Sequence, residues 1–135
     1  MPNPNISNIS SILGNTGYVI PSSGASPTTS WTFNGTTTLT GLTPAANSVH
    51  KINMIIAANT TGSAVTATIG VGNNATFGSA TVIAYPAYQI SVPANASLII
   101  IDKTTPLYIT ENQSVAAYSG TGSALTFIAS FEILT

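Results

Sequence analysis

The sequence predicts an all-β protein: an antiparallel β-sandwich of jelly-roll-like type with an extended N-terminal arm. Three observations predict it. Apolar residues recur at every second position, most clearly at Leu125, Phe127, Ala129, Phe131 and Ile133, with Thr126, Ser130 and Glu132 between them. That period marks a strand with one face on a core. Turn-forming residues interrupt the apolar runs throughout, as at Pro93-Ala94-Asn95, Glu111-Asn112-Gln113 and Gly120-Thr121-Gly122, which gives many short strands. No segment has the pattern of a helix of ordinary length.

The elements follow in order. Residues 1–17 (MPNPNISNISSILGNTG) begin extended at Pro2 and Pro4, because proline restricts its own φ and the residue before it. Ile6, Ile9, Ile12 and Leu13 stand in a polar background, and are expected to dock an arm on a neighbouring molecule. A sandwich domain over 18–135 then starts with a strand at Tyr18-Val19-Ile20. Ser30–Phe33 and Thr36–Leu42 form a hairpin about Asn34-Gly35, a dipeptide suited to a tight two-residue turn. Ser48–Asn59 and Ala64–Gly72 are expected to pair as a second hairpin across Thr60–Ser63. Thr81–Val92 is a strand broken or kinked at Pro86, since proline within a strand is confined to an edge or a bulge. The last four strands are SLIIID, LYIT, SVAAYS and LTFIASFEIL. Leu125, Phe127, Phe131, Val65, Ile69 and Ile100 are expected in one core.

Two segments, Met54-Ile55-Ile56 and Leu98-Ile99-Ile100-Ile101, are apolar on both faces. The outer face of a two-layer sandwich meets water, so such strands imply cover or a subunit interface. Met54, Ile55, Ile99 and Ile101 are the candidate interface residues.

Composition narrows the function. A chain of 135 residues fits one domain. At this size roughly two thirds of the unfolded chain's surface is buried on folding. There is no cysteine, and so no disulfide or thiolate chemistry. Charged residues are 4% of the chain, with no arginine, where about 25% is usual. Nucleic-acid binding needs clustered cations, and Lys51 and Lys103 stand apart. No apolar run reaches the length of a membrane span, and the N-terminus lacks the basic region and apolar core of a signal peptide. A surface this poor in charge has little repulsion to keep copies apart, which suits a component of an assembly.

The catalytic inventory is thin. His50 is the single histidine and the carboxylates are Asp102, Glu111 and Glu132. They offer no triad, and a calcium site usually draws on several carboxylates. No cofactor or metal is expected. Trp31, Phe77, Tyr85, Tyr88 and Tyr118 are candidates for an aromatic sugar platform, with packing at an edge or interface as the competing role.

Five motifs carry a resemblance: Asn59-Thr60 at a strand end, Val92-Pro93-Ala94-Asn95, Asp102-Lys103, Pro106-Leu107-Tyr108 and a terminal Glu132-Ile133. From Ile52 to Leu134 the chain resembles small virion structural proteins of tailed bacteriophages, cyanophages among them. The resemblance implies a β-sandwich without enzymatic activity. It implies a capsid cement (decoration) protein on the virion surface, with the major capsid protein and further copies of itself as partners, as a homotrimer by analogy with proteins at three-fold positions. The alternatives it leaves are a neck, tail or fibre-associated component. A carbohydrate-binding host-recognition module stands beside them, on the aromatic residues.

Overall fold

The computed structural model describes residues 9–22, 30–33, 37–40, 42–74 and 82–135. These hold ten strands: β1 (Ile12–Val19), β2 (Ser30–Phe33), β3 (Thr37–Thr40), β4 (Val49–Asn59), β5 (Val65–Gly72), β6 (Val82–Val92), β7 (Ser97–Ile101), β8 (Leu107–Thr110), β9 (Ser114–Ser119) and β10 (Leu125–Leu134). All pair antiparallel. The larger sheet runs β3-β2-β1-β10-β4-β7, with β8 also against β4. The smaller runs β6-β5-β9. Strands β8 and β7 lie end to end along β4, at Val49–Ile52 and Ile55–Ala58 respectively. The chain is an antiparallel β-sandwich. First strand beside last, and β5 between β6 and β9, is a jelly-roll-like order.

The core fills the space between the sheets. Val65, Ile69, Leu125, Phe127 and Phe131 are buried in it, as their spacing predicts. Ile100 sits at its margin, half-buried. Trp31 is fully buried, and its indole Nε1 donates to the Val115 carbonyl, 3.1 Å away. This bond ties β2 of one sheet to β9 of the other. A buried indole N–H needs such a partner, so Trp31 is a core residue and not a sugar platform.

Strands β4 and β5 do not form the expected hairpin. They belong to different sheets, and the turn after Asn59 is a corner between layers. The buried Asn59 side chain organises it. Its Nδ2 donates to the carbonyls of Ser63 (2.8 Å), Val92 (3.0 Å) and Pro93 (3.1 Å). Its Oδ1 accepts from the Thr61 amide and hydroxyl. Two of these bonds tie the turn to the end of β6, whose Val92 pairs with Val65 of β5. Asn95, at φ 53°, closes the same corner by donating its amide to Thr61 O. Two of the five sequence motifs, Asn59-Thr60 and Val92–Asn95, thus meet in one hydrogen-bonded corner.

Residues 12–17 of the expected arm belong to the sandwich instead. Ile12–Val19 pairs with β10 along its whole length, from Ile12↔Leu134 to Val19↔Phe127. Ahead of it the amides of Ser10 and Ser11 both donate to Thr135 O. Ile12 and Leu13 therefore lie on a strand of their own sheet, 63% and 57% exposed. Ile9 is half-buried, and Ile6 lies outside the described residues. The strand was illegible because backbone pairing holds it: of its eight side-chain positions only Gly17 and Val19 are buried. The Asn34-Gly35 turn also lies outside the described residues, but its flanks pair as a hairpin, Phe33↔Thr37.

Candidate functional site

The outer faces of the two sheets carry the exposed candidate residues. On the larger sheet, register places Tyr18 opposite Ile128, Ile128 opposite Ile56, and Ile56 opposite Ile99. The four side chains make one apolar row across β1, β10, β4 and β7. Ile99 is 62% exposed, Tyr18 is exposed, and Ile56 and Ile128 are half-buried. Half-buried Met54 and Ile99 line an open, mainly apolar groove of about 480 Å³, with Asp102, Lys103 and Thr104 on its rim.

Of the four residues expected at an interface, Met54 and Ile99 are on this face. Ile55 and Ile101 are not: both are buried in the core. Ile55 faces inward by ordinary alternation between Met54 and Ile56, and Ile101 because alternation fails at one of two bulges. Between Ile55↔Ile101 and Ile56↔Ile99 the β7 strand carries one extra residue, Ile100, which turns Ile101 inward. Between Ser130↔Met54 and Phe131↔Ile52 the extra residue is Asn53, in β4. A bulge inverts the faces of everything beyond it. Apolar residues on both sides of these strands therefore need only one outer surface.

The smaller sheet has a different outer face. Tyr85 and Tyr88 are three residues apart, so a regular strand would point them to opposite sides. Strand β6 is bulged on both sides of Ala87: Ala67 pairs with Ile90, Ile69 with Ala87 and Val71 with Ala84, so β6 carries one extra residue on each side, the one before Ala87 lying between the two tyrosines. Gln89 occupies the left-handed region (φ 49°), and its amide donates to Thr68 Oγ1 at 2.8 Å. Both tyrosines consequently reach the same surface, edge to face, with ring centroids 5.0 Å apart and planes at 68°. Tyr118 joins them from β9, where it pairs with Thr68 of β5. Burial raises the Tyr118 phenol above its ordinary pKa, helped by Tyr85. The three rings border a groove of about 400 Å³ floored by Thr66 and Thr68. Gly120 closes one end, where a Cβ would collide with Thr66 Oγ1.

Three of the five aromatic candidates are thus brought together. Trp31 is in the core, and Phe77 lies outside the described residues. Sequence reasoning missed Thr66, Thr68 and Gln89. Pro86 was the available signal, since a proline inside a strand announces an edge or a bulge; β6 has both.

The titratable groups support structure. His50 is buried, its ring tilted 38° against that of Phe131 with centroids 5.3 Å apart, and its Nδ1 2.6 Å from Leu42 O. A carbonyl only accepts, so Nδ1 carries the proton. The bond holds Leu42, a buried residue in the left-handed region at φ 48°, a conformation costly for a γ-branched side chain. Desolvation holds the imidazole below its ordinary pKa, although the bond to Leu42 opposes this. Asp102 accepts from the Thr104 amide and hydroxyl within its own turn, which lowers its pKa. Glu132 faces Lys51 across β10 and β4, at 3.9 Å. Among the described residues no three His, Cys, Asp or Glu converge as a metal site would require.

Fold and surfaces together define a two-sheet β-sandwich domain with two dissimilar outer faces. No protein-family model matches the chain, and no curated protein or solved structure matches it either.

Proposed function

We propose that this protein is a non-enzymatic structural subunit of a tailed-phage virion, a capsid cement protein that associates with itself. The observation that carries the reading is the apolar row Tyr18–Ile128–Ile56–Ile99 on the outside of the larger sheet. The occupant we assign to it is a second copy of the chain. Five charged residues in 135 supply almost no repulsion to keep copies apart, and the Lys51–Glu132 pair and Lys103 stand at the margin, as polar residues rim an apolar contact. Three copies around an axis are favoured by analogy with decoration proteins at three-fold positions. An oligomer then adds contact area across neighbouring subunits of the shell, the major capsid protein being its partner. The resemblance over Ile52 to Leu134 supports the virion setting, and the roles of His50, Asp102 and Glu132 in holding turns and strands support a protein without catalysis.

Copy number per particle tests the reading. Quantitative mass spectrometry of purified virions should find hundreds of copies. About a dozen or fewer would reassign the protein to neck or tail, and none would remove it from the virion.

A further inference from the structure

The groove on the smaller sheet lies on the face opposite the apolar row and plays no part in the association just proposed. We infer that it is a binding site for a neutral glycan.

Its chemistry matches that ligand class on three counts. First, it offers aromatic surface. Tyr88 is 58% and Tyr85 47% exposed, with their rings held at an angle instead of stacked flat on each other. The electron-rich face of a phenol attracts the weakly positive C–H groups on one side of a pyranose ring, by the same quadrupole that organises aromatic pairs. Second, the remaining lining is neutral and hydrogen-bonding: Thr66, Gln89 and the tyrosine hydroxyls. Hydroxyls and a carboxamide both donate and accept, as each sugar hydroxyl does. Among the described residues no Lys, Asp or Glu lines the groove, so an anionic sugar finds no counter-charge there. Third, about 400 Å³ lies in the lower part of the roughly 300–1,000 Å³ range of ligand pockets, suitable for a disaccharide-sized segment.

The construction also favours a ligand over simple packing. Tyr85 and Tyr88 share a face because β6 carries an extra residue between Ala84 and Ala87, around Pro86, and a second bulge follows at Gln89, in a left-handed conformation. Such bulges commonly re-aim side chains at functional surfaces. The groove is shallow, so one copy binds weakly. Several linked copies bind much more strongly by avidity.

The test is retention on an array of neutral oligosaccharides of glucose, galactose, mannose, rhamnose and N-acetylglucosamine, with sialylated and sulfated glycans alongside. The strongest neutral binder is then titrated by calorimetry. Wild type is expected on neutral glycans. Tyr88→Ala should weaken binding about tenfold, the loss of one stacking face. Tyr88→Phe should retain most of it, and Tyr108→Ala, an exposed tyrosine on the larger sheet, should change nothing. Thermal unfolding of each variant shows that it folds. Absence of neutral binding by wild type, retention on charged glycans only, undiminished binding by a Tyr85→Ala, Tyr88→Ala double variant, or loss of self-association in that variant would each overturn the assignment.

Discussion

The outer faces of the two sheets rest on the same core yet differ in kind. The larger sheet presents a row of aliphatic side chains and Tyr18, opposite one another across four strands, with its bulges at Ile100 and Asn53 to one side of the row. The smaller presents three tyrosines and hydroxyl groups, gathered by an irregular strand. Regular pairing lines like residues into a flat, apolar strip, which suits another flat surface. Bulging breaks the strip and leaves a concavity with mixed polarity, which suits a small, hydroxyl-rich ligand. One sandwich can thus carry an assembly face and a recognition face without either disturbing the core between them.

That separation requires the core to hold both faces in place. Trp31 is where the requirement is most concentrated, since it is fully buried and bonds across the layers to Val115 O. Trp31→Ala should cost roughly 3–5 kcal/mol in urea unfolding, and weaken both association and ligand binding. A loss confined to one face would break the idea of a shared support.

Asn59 should come next. Removing its carboxamide leaves the carbonyls of Ser63, Val92 and Pro93 without this donor. Asn59→Ala is expected to cost at least about 1–3 kcal/mol, and Asn59→Asp no less, because a carboxylate cannot donate to them. Equal stability of Asn59→Ala and wild type would show that the corner between the sheets needs no such clamp.

A smaller effect belongs to His50. Its native pKa lies below the ordinary 6.5. Between those two values the unfolded chain binds more protons than the native one, so stability rises with pH there and falls as pH drops below about 6.5. Melting temperatures from pH 7.5 to 5.5 should decline for wild type and less steeply for His50→Gln. Parallel curves would remove His50 from the account.

The smallest effect is on the recognition face. Tyr88→Ala should leave stability within about 0.5 kcal/mol of wild type, as exposed substitutions do. A larger loss would mean that the tyrosines pack for stability and would blur the contrast between the faces.

Most of the fold was legible because alternation and turn residues are local properties. The last strand shows this: Leu125, Phe127, Ala129 and Phe131 are all buried, with Thr126, Ile128 and Ser130 half-buried. Three features were not legible, for distinct reasons. Strand β1 is held by pairing with the far end of the chain, and ILGNTGYV has no apolar period to reveal it. Bulges at Asn53 and Ile100 invert an alternation that nothing in the local sequence interrupts. The passage from β4 to β5 reads as a hairpin, because only the bonds of Asn59 to Val92 and Pro93 show that the chain changes sheets there. Bulges in β7 and β6 also obscured part of the candidate sites. The bulge at Ile100 turns Ile101 into the core, Ile55 faces the core by ordinary alternation between Met54 and Ile56, and Tyr85 and Tyr88, separated by three residues, share a surface.

The most direct test of the central claim is sedimentation equilibrium of wild type beside Ile99→Lys. Ile99 is 62% exposed at the end of the apolar row, so the charge is tolerated by one copy and opposed by a contact between copies. Wild type at micromolar concentration should sediment as an oligomer of its 13.7 kDa chain, a trimer being favoured, and Ile99→Lys as a folded monomer. A monomeric wild type, or a variant that associates as strongly as wild type, would contradict the assignment of this face.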